Sequence, residues 1–95
     1  MPRVTNIGGT AWKKCKCKSW LDHWYNHSEA TNYPKQCSTV GCYNTNLVGA
    51  HVYKYDSMYN DHYIVPLCHT CKHSDRVLTV NRELVSANVS LTCGG

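Results

Sequence analysis

Cys37-Ser38-Thr39-Val40-Gly41-Cys42 and, after a gap, Tyr63-Ile64-Val65-Pro66-Leu67-Cys68-His69-Thr70-Cys71 are the stretches on which the reading of this chain turns. Each carries two thiols close to one tight turn, and Gly41 gives the first a residue free to take an unusual backbone angle. Zinc takes four soft or borderline ligands in a tetrahedron, with Zn–S near ~2.3 Å. Two such knuckles supply four thiolates, and the chain between them closes the sphere. With Cys37, Cys42, Cys68 and Cys71 all engaged, no coordination position remains for a substrate, so a structural zinc is expected. His69, inside the second knuckle, is expected to point outward.

The rest of the composition explains why a metal staple is needed. The chain has 95 residues, enough for a single zinc-binding domain over 1–95 and no second one. Hydrophobic residues reach 42%, but that figure includes seven Tyr and seven Cys, and there is no Phe. A domain of this size buries only ~60–65% of its unfolded surface and is marginal on its core alone. No apolar run approaches the roughly 18 residues of a membrane span, so no membrane partner is expected. Met1-Pro2-Arg3-Val4-Thr5-Asn6 lacks the apolar stretch of a secretory signal, which points to the cytoplasm and to reduced thiols. Seven is also an odd number, so disulfides could not use every cysteine.

Outward from the knuckles, residues 1–11, with Gly8-Gly9, read as an extended or loose N-terminal arm. Ser19 to about Glu29 reads as a helix. Ser19 stands at the N-cap, Asp22 at the capping-box position, and Trp20, Leu21, Trp24 and Tyr25 fall on one apolar face. Leu47–Tyr53 and Tyr63–Leu67 read as strands, and Pro66 requires an edge or a strand end. Arg76–Val80 and Leu84–Val89 read as a hairpin joined around Asn81-Arg82-Glu83, with a short helix as the alternative for the second. The expected fold is a small α+β zinc-binding domain: an N-terminal helix on short antiparallel strands, with the knuckle pair at its centre.

Cys37…Cys42, then Gly49-Ala50-His51-Val52, then Ile64-Val65-Pro66-Leu67-Cys68-x-x-Cys71 resembles the zinc-stabilised HNH endonuclease motif, over residues 37–75. The resemblance implies a treble-clef (ββα-metal) unit in which His51 is the general base for phosphodiester hydrolysis beside a divalent ion such as Mg²⁺. Ala50 stands where that family often has Asp, Tyr63 near where it has Asn, and Lys72-His73 where it has Asn or His. The ion would therefore fall to Asp61, His62 and His73, and the phosphate to Lys72 or Arg76. The other reading of His51 is a strand histidine that orders the zinc site through a hydrogen bond. Gly49 and Ala50, with their small side chains, are expected to leave the strand end open to a phosphate. The whole chain, through Cys15-x-Cys17-x-Ser19-Trp20-Leu21-x-His23-Trp24 and Cys93, is also similar to small uncharacterised proteins of bacteria and mobile elements.

Two further features carry expectations. Cys15, Cys17 and Cys93, with His23, His27 or His73, could form a second zinc site; alternatively Cys17 or Cys93 is free or forms an adventitious disulfide. Lys13, Lys14, Lys16 and Lys18, between Trp12 and Trp20 in a chain of net charge +4, suit a nucleic-acid backbone or else a merely solvated face. Two functions follow: an HNH-like domain that binds or cuts nucleic acid, or a non-catalytic zinc module that docks on a protein partner, such as an inhibitor from a mobile element.

Overall fold

The computed structural model describes residues 1–7, 19–57 and 61–87. Its centre is a pair of antiparallel strands, β2 (Leu47–Lys54) and β3 (Tyr63–Cys68), in a register that sets Gly49 opposite Pro66, Ala50 opposite Val65 and His51 opposite Ile64. Residues opposite one another share a face. One face thus carries Ala50, Val52, Val65 and Leu67, and the other carries Gly49, His51 and Ile64. Both faces are covered, which is why the middle of β2 and nearly all of β3 are buried rather than alternating in exposure.

Three short strands complete a five-stranded antiparallel sheet. They are β1 (Arg3–Asn6), β4 (Leu78–Thr79) and β5 (Val85–Ser86), and the order is β4-β1-β2-β3-β5. The N-terminal segment, expected as an extended or loose arm, thus places residues 3–6 inside the sheet, because Val4 is fully buried among Ala50, Val52 and Val65. Residues 8–11 of that arm lie outside the described residues. The expected hairpin at 76–89 does not form. Its two apolar runs separate, β4 pairing with β1 at one edge and β5 with β3 at the other.

Pro66 meets the edge requirement inside a longer strand. Its carbonyl accepts from Ser38 N–H (3.1 Å), so its missing N–H faces away from β2, toward the knuckle loop. β5 pairs only with Tyr63 and Ile64 and never reaches it.

Helix α1 (Trp20–His27) begins as the sequence predicts, Ser19 Oγ accepting from Asp22 N–H at 3.1 Å. It lies on the Gly49/His51 face. Trp24 is buried with Ile64 and Val85, and its indole N–H donates to Glu83 C=O (2.9 Å). The helix approaches so closely that a Cβ on Gly49 would sit 2.3 Å from the Trp20 carbonyl carbon and 2.4 Å from Leu21 N. Gly49 therefore does not leave the strand end open for a phosphate; the first turn of α1 fills that space. Helix α2 (His69–Lys72) is a single turn on the end of β3. Among the described residues, no helix is long and apolar enough to cross a membrane.

Candidate metal centre

Each knuckle is held by backbone bonds that the cysteines themselves take part in. In the first, Cys37 N–H donates to Asn44 C=O (2.9 Å) and Cys42 N–H to Thr39 C=O (3.0 Å). Gly41, at φ +82°, makes the turn between them in a conformation that side chains with a Cβ avoid. In the second, Cys68 is the N-cap of α2, its Sγ accepting Cys71 N–H at 3.4 Å. The loop is then fastened to β3 through Ser38 N–H and Pro66 C=O, and to the segment after β4 through Asn81 N–H and Ser38 C=O (2.9 Å).

This brings the Sγ atoms of Cys37, Cys42, Cys68 and Cys71 within 4.8 Å of one another. Cys42 lies 3.8 Å from Cys68 and 3.9 Å from Cys71. A tetrahedron with metal–sulfur bonds of about 2.3 Å has edges of about 3.8 Å, so the two Cys42 spacings match such an edge and the group as a whole is close enough to hold a thiolate-bound ion such as zinc. Cys37 and Cys68 are buried in the core, while Cys42 and Cys71 are half-buried. All four are free thiols, not disulfides.

The surroundings favour the anionic form of sulfur at Cys68 and oppose it at Cys42 and Cys71. Cys68 N–H donates to Cys37 Sγ (3.3 Å), and Asn44 Nδ2 to Cys68 Sγ (3.5 Å). Burial opposes ionisation of Cys68, but the Asn44 amide and the Cys71 N–H outweigh it and bring this thiol down to about 6. Burial, and then the neighbouring sulfurs of Cys68 and Cys37, push Cys71 up to about 12. Cys68 thus ionises more readily than Cys42 and Cys71, whose thiols are both raised. Metal uptake must therefore release protons.

The hydrogen bonds that brace the two knuckles from outside come from residues distant in the chain. Asn6 Nδ2 donates to Cys71 C=O (2.8 Å) and Ser74 C=O (2.9 Å), tying β1 to the end of α2. Arg82 Nη1 donates to Gln36 C=O (2.6 Å) and Ser38 Oγ (3.2 Å), clamping the first knuckle. Asn44, an amide two residues past a knuckle cysteine, could have been found from local spacing. Asn6 and Arg82 act across 65 and 44 residues, and nothing local announces them.

The other expected site residues are dispersed. His51 is 5% exposed, and its ring stands edge-on to Trp20 at 4.5 Å between centroids. Asp61 is exposed, His62 is half-buried with its ring against Tyr53, and His73 is exposed at the C-cap of α2. Among the described residues, only the four-cysteine group gathers three or more potential metal ligands; Asp61, His62 and His73 do not converge on His51. His69 is exposed and outside the cluster. Cys15, Cys17 and Cys93, and Lys13, Lys14, Lys16 and Lys18, lie outside the described residues. His23 and His27, proposed partners of those thiols, stack at 4.9 Å on α1, where His23 Nε2 bonds Ser86 C=O (2.9 Å).

Comparison with protein-family models, curated proteins and solved structures finds no match to this chain.

Proposed function

We propose that this protein is a zinc-stapled, non-catalytic module that binds nucleic acid. The observation that supports the first part is the gathering of four sulfurs within 4.8 Å of one another, close enough to hold a metal ion such as zinc. Four protein thiolates complete zinc's sphere and leave no open position for water or substrate, so the ion serves the fold. What supports a non-catalytic reading is the setting of His51. A general base must reach water and a scissile phosphate beside a second ion. Here the imidazole is covered by α1, and Asp61, His62 and His73 do not gather around it.

The nucleic-acid part rests on charge. The chain carries +4, with four lysines in the span 13–18 between aromatic residues. Cations of that density bind polyanions by counterion release, with an affinity that falls as salt rises. The test is fluorescence anisotropy of labelled duplex and single-stranded DNA at low salt, with plasmid nicking in Mg²⁺, Mn²⁺ and Ni²⁺ alongside. Binding that weakens with salt, flattens when Lys13, Lys14, Lys16 and Lys18 are replaced together, and comes without nicking supports the proposal. Nicking that disappears in His51→Ala would instead establish the nuclease reading. A protein that neither binds nor cuts would leave a protein partner as the role, with exposed Tyr33, Tyr43 and Tyr55 as the surface to examine.

A further inference from the structure

Between the segment that follows α1 and the turn that precedes β5 lies an open cleft of about 360 Å³, lined by Trp24, Asn32, Tyr33, Pro34, Lys35 and Arg82 among others. No carboxylate lines it, and two cations do. Arg82 is held from one side: Nη1 is bound to Gln36 C=O and Ser38 Oγ, while Nε and Nη2 make no hydrogen bond to a described residue. The guanidinium is therefore fixed in place by the knuckle loop with donors to spare. Lys35 is exposed and forms no ion pair with a described residue. Two neighbouring acids are engaged in hydrogen bonds. Glu83 Oε1 accepts from Glu29 N–H, and Asp22 Oδ1 accepts from the Tyr33 hydroxyl, both at 2.5 Å.

Those same bonds hold an aromatic wall. Tyr33 is 43% exposed, anchored at its hydroxyl by Asp22 and braced against the Tyr25 ring at 5.1 Å. Trp24, pinned through its indole N–H to Glu83 C=O, lines the interior. A fixed guanidinium, a free ammonium and a presented aromatic face form the combination by which single strands are held, phosphate on cations and base on a ring. The cleft is also large for phosphate alone and within the size range of small-ligand sites.

We infer that this cleft seats one nucleotide of a single-stranded nucleic acid, its phosphate between Lys35 and Arg82 and its base against Tyr33. The inference rests on the nucleic-acid reading above and adds where the strand is held and which form is preferred. The test uses the metal-loaded full chain and a 5′-labelled dT12 oligonucleotide, followed by anisotropy across a salt series. Lys35→Glu should weaken binding at least tenfold and lower the salt slope by about one phosphate contact. Tyr33→Leu should weaken it about fivefold or more. Lys54→Glu, the same charge change on β2, should have a smaller effect than Lys35→Glu. Arg82 is left intact because it also clamps the knuckle, and metal content and melting temperature are checked for each variant. If the protein binds dT12 but Lys35→Glu behaves like Lys54→Glu, the strand sits elsewhere and only the cleft assignment falls. Preference for duplex over dT12, or inorganic phosphate competing as well as thymidine monophosphate, would likewise overturn the nucleotide seat. Failure to bind any nucleic acid at low salt would overturn both this inference and the reading beneath it.

Discussion

Replacing Gly49 by Ala should be among the most damaging single-methyl additions this protein can suffer. The new Cβ would stand 2.3 Å from the Trp20 carbonyl carbon, 2.4 Å from Leu21 N and 2.6 Å from Trp20 O. These are main-chain atoms, so no side-chain rotation relieves the collision. Ordinary carbon contacts begin near ~3.5 Å, and the first turn of α1 must therefore withdraw by about 1 Å. That motion pulls Trp20 off His51 and strains the seat of Trp24 against Ile64 and Val85. Overpacking a filled core costs about 1–3 kcal/mol, and a backbone clash belongs at the upper end. Ala gains back ~0.5–1 kcal/mol over Gly in a strand, which leaves a net loss of about 2 kcal/mol. At ~4–8 °C per kcal/mol for a domain of this size, the melting temperature should fall by about 8–16 °C. Thermal unfolding followed by tryptophan fluorescence and far-UV circular dichroism measures this directly, with metal content retained because the knuckles are not involved. A Gly49→Ala protein that melts at or above the wild-type temperature would refute the packing of α1 on β2.

Other perturbations separate the elements of the account. Asn6→Ala removes the side-chain donor to Ser74 C=O and one of the donors to Cys71 C=O, which keeps the Ser74 N–H, and should cost about 1–3 kcal/mol, read by urea denaturation together with faster loss of metal to a chelator. His23 is held below the ordinary histidine value by burial and by the nearby His27, against the opposing bond to Ser86 C=O. The unfolded chain therefore takes up the proton first, and stability should decline as pH drops below about 6.5, with a smaller decline in His23→Gln. Cys68→Ser, or stripping the metal with a chelator, should give an unfolded or insoluble chain, since structural zinc supplies folding free energy of order 10 kcal/mol in small modules. A sharp melting transition in the metal-free protein would contradict that.

The parts of this structure legible in the sequence were those written in short-range chemistry. The knuckles declare themselves by spacing, Gly41 by its need for a positive φ, and α1 by Ser19 and the periodicity of Trp20, Leu21 and Trp24. The two central strands appeared with nearly correct ends. What stayed hidden was pairing at a distance. Val4 looks like one apolar residue in a polar arm, and only the complete sheet shows that it fills the core beside Val52. Arg76–Val80 and Leu84–Val89 have hairpin composition, yet they pair with β1 and β3 at opposite edges of the sheet. Gly49 illustrates the limit most plainly. A small residue beside His51 reads equally as room for a ligand or room for a helix, and α1 supplies the answer.

The most direct test of the central claim is zinc content and sulfur coordination in a variant lacking Cys15, Cys17 and Cys93, so that Cys37, Cys42, Cys68 and Cys71 are the only thiols left. The account predicts one tightly held zinc per folded chain, with X-ray absorption showing four sulfur neighbours at about 2.3 Å and no nitrogen or oxygen. A folded chain without metal, with four thiols that react freely, would contradict it, as would zinc bound through fewer than four sulfurs.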